Sequence, residues 1–516
     1  MTKLTPIFGY TFCSRKTIRA VEPACYLEAS TSASYKANVA KFRALFPLSD
    51  TSANDASDPS IAGDVAGGRG YFEARNMIHD LKTLESHLKN LTALGLAEKV
   101  LVVSMGDEIA LKVPTNATLA QSLFAAWCAK HHVAVPGAYN VSYDGSAARY
   151  WYSNLFADQY GLDALATATA LLKKYLKNAN IGANFSPLTY DPSAYTTAAY
   201  LYTVNKGVRA FRSGALTLPW GEDYSWQTPI GSQQMTTLLL DFFRAGKRHG
   251  TTKTTTQTMF YTMAHAPGNT PTSWRRNFYG YWAHGMTMLN LYELRPTISS
   301  YTENYVATGW GMYTEVRKAL SELASFEDLV QSGRVVDGDV GLWCSDAFDI
   351  WGRATPPSTY AQHYHTFTAA KRALYTLLLN AELPVDVVID DDVGATLNSY
   401  SLIYLADTHV PDAASAALAK WVEAGGTLVA TAGAGMFNEL NQTNAALRAL
   451  LGVTPTAMVE PENSAVQYIK QDLPWATPLG NVTWAANGSG TNESVPIFGA
   501  RDVFRPAADA TVLAWH

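Results

Sequence analysis

Apolar residues recur along this chain at two rhythms, and the switches between them mark its elements. From Tyr71 onward, Ala74, Met77, Ile78, Leu81, Leu84, Leu88 and Leu91 fall three and four apart, which predicts an amphipathic helix ending near Gly95. Directly behind it, Lys99-Val-Leu-Val-Val-Ser-Met105 is a continuous apolar run, the signature of a strand buried on both faces. The pairing repeats, with helices expected over 162–176, 195–211, 233–248, 273–284 and 313–329 and strands over 180–185, 215–220, 256–263 and 286–292. An earlier strand is read from Leu4 to Phe12, followed by a Ser/Ala/Asp/Gly-rich stretch, 29–70, that reads as an extended loop. This βαβα order predicts a parallel sheet closed as a (β/α)8-type barrel over 1–330, with functional groups at the C-terminal ends of its strands.

After Gln331-Ser-Gly-Arg334, read as a linker, a second α/β pattern fills 335–516. Strands are expected over 339–344, 385–389, 401–406 and 427–432, and helices over 366–383 and 412–424, with Asp412 as an N-cap and Gly425-Gly426 as a stop. These are the parts of an open, doubly wound, Rossmann-like sheet. The last residues, 510–516, read as a strand cut off midway.

At 516 residues the chain exceeds what one core organises, in keeping with two domains. Only 16% of residues are charged and the net charge is −5, so no basic surplus exists to neutralise phosphates and nucleic acid is excluded as a partner. Aromatic residues reach 12%, and a surface rich in Tyr, Trp, Thr, Ser and Asn fits neutral, hydroxyl-rich ligands such as oligo- or polysaccharides. Cys13, Cys25, Cys128 and Cys344 form no C-x-x-C pair; they read as free thiols, with Cys13–Cys25 the one candidate bridge. No apolar stretch approaches the roughly 20 residues of a membrane span, and no signal-peptide core opens the chain. The low charge would suit a secreted or periplasmic protein. Neither a cofactor nor a metal is expected; His131-His132 has no matching ligand set.

Candidate chemistry gathers at the expected strand exits. In Val102-Val-Ser-Met-Gly-Asp-Glu108 a glycine releases two acids, Asp107 and Glu108, at the end of a buried strand, where a general acid for glycosidic cleavage would stand. The plainer alternative is that one of them caps the next helix. In Trp220-Gly-Glu-Asp-Tyr-Ser-Trp226, Glu222 and Asp223 lie among Trp220, Tyr224 and Trp226, rings that stack on sugars and raise a neighbouring carboxyl pKa. Further along, His265 and Tyr292 are candidate substrate contacts together with Asn184 and Arg275, while Glu293 is a reserve carboxylate or an ion-pair partner of Arg275 or Arg295. Asp390-Asp-Asp392 and Thr431-Ala-Gly-Ala-Gly435 lack the spacing of a phosphate loop and read as packing elements.

Tyr400-Ser-Leu-Ile-Tyr-Leu-Ala406 and Trp421-Val-Glu-Ala-Gly-Gly-Thr-Leu428 resemble the amidotransferase-like trimerisation domain of family 42 β-galactosidases. The preceding part is similar to the TIM barrel of the same clan. The resemblance implies a glycoside hydrolase, a homo-oligomer, commonly a trimer, and an acid/base glutamate after the fourth strand, which Glu108 matches, with Asp107 in place of the usual Asn. It also implies a nucleophilic glutamate after the seventh strand, where this chain has Ala264 and His265. Either the second carboxylate stands on the previous strand, as Glu222 or Asp223, or the barrel binds sugar without cleaving it. Six strand exits are recognisable, which leaves two strands of an eight-stranded barrel unaccounted for.

Overall fold

A computed structural model describes residues 71–74, 78, 80–107, 109, 111, 113–114, 116–185, 204–222, 236–248, 257–263, 270–292, 310–330, 333, 335–352, 354, 359–459, 478–484, 493–497 and 500–515. The expected strand at 4–12, the loop over 29–70 and the Cys13–Cys25 pair lie outside the described residues. Cys128 and Cys344 are buried thiols.

The first half alternates strands and helices in the order β1 (Tyr71–Glu73), α1 (Leu81–Ala93), β2 (Val102–Asp107), α2 (Ala117–Lys130), α3 (Ala147–Tyr175), β3 (Asn180–Asn184), α4 (Val204–Arg212), β4 (Trp220–Glu222), α5 (Thr237–Arg248), β5 (Met259–Met263), α6 (Pro271–Ala283), β6 (Met288–Tyr292) and α7 (Trp310–Val330). Two parallel three-stranded sheets, β1-β2-β3 and β4-β5-β6, result. Parallel bridges Gly182↔Leu218 and Phe185↔Gly221 join them, so the six strands stand side by side in chain order. Closure into a barrel is not seen among the described residues.

Three expectations need correction. Tyr71–Glu73 is a strand, and the helix begins only at Leu81, where Asp80 accepts the Lys82 and Thr83 amides. Phe72 and Ala74 are buried two apart, a strand's period, and the helical series begun at Ile78 runs on from it without a break. The strand expected over 215–220 is instead Trp220–Glu222, because Thr217 and Leu218 already spend their amides on the Ile181 carbonyl. The helix read over 162–176 begins at Ala147, with Ser146 as its cap, and α2 was not expected at all, its apolar residues being evenly spread.

One core lies between the strands and the helices outside them: Val103, Met105, Ile181, Ala183, Phe260 and Leu289 meet Leu84, Leu88, Leu172, Leu239 and Phe278. The alternating positions of each strand therefore face away from the helices.

In the second half, β7 (Val340–Cys344), α8 (Asp346–Gly352), α9 (Thr359–Asn380), β8 (Val385–Ile389), β9 (Leu402–Leu405), α10 (Asp412–Glu423), β10 (Thr427–Ala430) and α11 (Ala445–Leu451) build a parallel four-stranded sheet, order β10-β9-β7-β8. The N-cap of α10 is Pro411, not Asp412, which occupies the first turn while its carboxylate accepts from Asn438. Gly425, at φ +109, ends that helix with its N–H on the Val422 carbonyl. From Val453 the chain turns to antiparallel strands, β11 (Val453–Val459), β12 (Gly480–Trp484), β13 (Glu493–Ile497), β14 (Arg501–Pro506) and β15 (Ala514–Trp515), which pair as β11-β14 and β13-β12-β15. No helix among the described residues is long and apolar enough to cross a membrane.

Candidate active site at the strand ends

The exit of β2 is shaped by one glycine. Gly106 adopts φ +130, a conformation side chains resist, and its N–H donates to the Ser104 hydroxyl at 3.1 Å. The register against β3 shifts there, from Ser104↔Gly182 to Asp107↔Asn184, so the bulge brings Asp107 level with Asn184. Glu108, the next residue, lies outside the described residues.

Across the join, the Phe185 amide donates to the Trp220 carbonyl at 3.0 Å, and Phe185 pairs with Gly221. A methyl group at Gly221 would stand 2.7 Å from Leu239 and 3.1 Å from Phe243, so α5 packs on bare backbone where β4 ends. Glu222 then registers with Tyr261, and Tyr261 with Asn290. Asp107, Asn184 and Glu222 thus end three consecutive parallel strands, and Tyr261 and Asn290 stand level with Glu222 at the middle of the next two. Tyr292 ends β6, level with Met263. Tyr261 and Asn290 were not singled out in the sequence; the available signal was their place near the ends of two expected strands.

The side chains described there are buried. Asn184 is 2% exposed and Trp220 fully enclosed, so Trp220 acts as a wall in this conformation and not as an open stacking platform. Asp223, Tyr224, Trp226, His265 and Glu293 lie outside the described residues. Arg275 is placed elsewhere. It sits on α6 with one guanidinium nitrogen on Glu315 at 3.0 Å, another on Glu322, and its plane over the Tyr279 ring at 5.1 Å. The bonds to Glu322 and then Glu315 hold its charge more firmly than usual. Its partners among the described residues are acids of α7.

Elsewhere the acidic run proves structural. Asp390 accepts from the Ser345 hydroxyl, the Asp346 amide and the Trp343 indole; burial, and then Asp346 beside it, push its carboxyl well above the usual range. Asp391 and Asp392 pair with Arg209 and Arg212. At the C-terminal edge of the four-stranded sheet of the second half, called the second sheet below, where such folds bind ligands, Lys371 and Asp407 form a buried pair at 2.6 Å. No group of three His, Cys, Asp or Glu able to hold a metal is found among the described residues.

No protein-family model matches this sequence, and no curated protein sequence does. Solved structures do. A GH42 β-galactosidase of G. stearothermophilus is 15% identical, with a TM-score of 0.61 over 84% of this chain and 64% of that one. The β-galactosidase of Rahnella sp. R3 gives 15%, 0.59, 84% and 64%, and that of Bacillus circulans sp. alkalophilus 14%, 0.55, 83% and 65%. The chain thus has the fold of family 42 β-galactosidases at low identity and spans a little under two thirds of their length.

Proposed function

We propose that this protein is a glycoside hydrolase of the β-galactosidase type, with Glu108 as general acid/base and Glu222 as its partner carboxylate. The observation that carries this reading is the placement of acidic positions at the exits of β2 and β4, with Asn184 between them on β3, in a fold whose solved relatives are β-galactosidases. Neighbouring strands lie about 4.8 Å apart, so backbones two strands apart are separated by roughly 10 Å. Acids extending toward one another from such positions fall within the range in which carboxyls cooperate, about 5 Å for retention and roughly 6.5–9.5 Å for inversion. Asp223 and Glu293 are the reserve carboxylates; Tyr224, Trp226, His265 and Tyr292 complete the sugar site with Asn184, and Trp220 walls it from behind.

The reading extends to architecture. The six strands belong to a (β/α)8-type barrel over 1–330, followed over 335–516 by an amidotransferase-like unit through which copies of the chain associate, as a trimer by analogy. If β2 takes the fourth place in the barrel, β5 takes the seventh, and its exit carries Ala264 and His265. That observation supports a second reading, a sugar-binding barrel without turnover.

Hydrolysis of aryl β-galactosides and other aryl glycosides by the unaltered protein, Glu108→Gln and Glu222→Gln decides between them. Losses of at least about 100-fold in kcat are expected for each variant. Full activity in either removes that residue from the mechanism. Measurable affinity without turnover in the unaltered protein, abolished by Trp226→Ala, would establish the binding reading instead.

A further inference from the structure

Among the described residues the two three-stranded sheets meet through two isolated bridges between β3 and β4, whereas every other neighbouring pair in this wall forms a ladder of three or more registered residues, interrupted only by the bulge between β2 and β3. Four amides hold the join: Thr217 and Leu218 donate to the Ile181 carbonyl at 2.8 and 2.9 Å, Ile181 donates to the Thr217 hydroxyl at 2.9 Å, and Phe185 donates to the Trp220 carbonyl at 3.0 Å. The strands approach closely there, since a methyl group on Gly182 would stand 2.7 Å from the Leu218 carbonyl oxygen. The rim positions Asn184 and Glu222 stand on its two sides.

Behind this join lie α4 and α5. Phe185 of the join, Phe211 of α4 and Phe243 of α5 pack with ring centroids 5.6–5.8 Å apart. Each helix also has an opposite face, which belongs to the second sheet. Val208 of α4 and Leu238, Phe242 and Ala245 of α5 share one core with Leu342 and Val387. Four arginines frame that core. Arg209 grips Asp391 through two bonds, at 2.9 and 3.0 Å, and also reaches Asp346; Arg212 meets Asp392 at 2.8 Å. Arg244 and Arg248 converge on buried Asp386 at 2.7 and 2.5 Å. The Arg212–Asp392 pair and the two pairs on Asp386 are enclosed, so they resist screening and are costly to break from one side.

We propose that these arginines are positioning residues: through them the second sheet clamps α4 and α5 against the β3–β4 join and so sets the spacing of the rim across it. The second sheet is in this sense a brace for the wall. Its consequence for turnover rests on the glycosidase reading, but the clamp itself is measurable without substrate.

The test is amide hydrogen exchange on the full chain. In the Arg209→Gln/Arg212→Gln double variant, the Phe185, Thr217 and Leu218 amides should exchange at least about tenfold faster while those of β5 and β6 keep their protection. The corresponding double lysine variant, which retains the charges but not the forked geometry, should fall between the two. Uniform acceleration throughout the wall, or no change at the join, would overturn the proposal. Should the double glutamine variant fail to fold, Asp391→Asn, whose carboxylate is half exposed, is read at the same three amides with the same two outcomes. If the chain is an active glycosidase, kcat should fall in these variants more than KM changes; if it is not, the exchange result still decides the clamp.

Discussion

Lys247 shows how one residue ties stability to pH. It ends α5 at the opposite edge of the wall from the rim, with its amino group on the Thr258 hydroxyl, and burial pushes its pKa down to about 7. The unfolded chain holds that proton up to the ordinary value of 10.5, so between about pH 7 and 10 the unfolded state binds more protons than the folded one. Stability should therefore rise with pH across that window, by at most about 1.4 kcal/mol per unit. Below pH 7 both states carry the charge and the cost of burying it is present in full. Lys247→Met is expected to flatten the rise and to be the more stable protein at pH 6.5, as denaturant titrations at pH 6.5 and 9.5 would show. An unchanged slope in the variant would assign the dependence to another group.

At the scale of elements, the strand exits depend on glycines whose reasons differ. Gly106 supplies a backbone angle and so the bulge that carries Asp107 level with Asn184. Gly182 supplies space, because the Leu218 carbonyl occupies the place of a side chain. Gly182→Ala must push β3 and β4 apart, since a backbone carbonyl has no rotamer to yield with. Overpacking of this kind costs about 1–3 kcal/mol, and the lowered midpoint in a thermal or denaturant melt should come with faster exchange at the Thr217 and Leu218 amides. A variant as stable as its parent would mean that the join is more pliant than its geometry implies. The helices that flank the join end in basic residues, Arg212 on α4 and Arg248 on α5, which favours their C-terminal dipoles as well as their partners on the second sheet.

For the whole molecule, α5 decides how far the two halves are separable. Leu239, Leu240 and Phe243 belong to the core of the wall, and Leu238, Phe242 and Ala245 to the core shared with the second sheet. Asp241, between them, accepts from Arg244 and His284 on one side and from Tyr375 of α9 on the other. A helix buried on both sides cannot leave one core without opening the other. Heating should therefore give one calorimetric transition spanning the wall and the second sheet, with matching calorimetric and van't Hoff enthalpies. Two resolved transitions would show that the shared core is weaker than the cores it joins.

Much of this organisation is written in the sequence. The strand Val385–Ile389 was read to the residue, and β5, β6, β7 and α6 to within a few, because continuous apolar runs and three-and-four spacing report burial directly. The end of β2 also followed, with Gly106 and Asp107 closing a buried apolar run. What the sequence could not supply was anything set by two distant segments. It gave Arg275 to the sugar site, whereas the fold sets it against Glu315 and Glu322. It reduced Asp390-Asp-Asp392 to packing, whereas the fold turned two of these acids into the grip on α4. It placed β4 early, because only the neighbouring Ile181 carbonyl shows where the Thr217 and Leu218 amides are spent. Local hydrophobic period is a property of a segment and survives without its partners. A charge's role depends on which opposite charge is brought to it, and only the tertiary structure decides that.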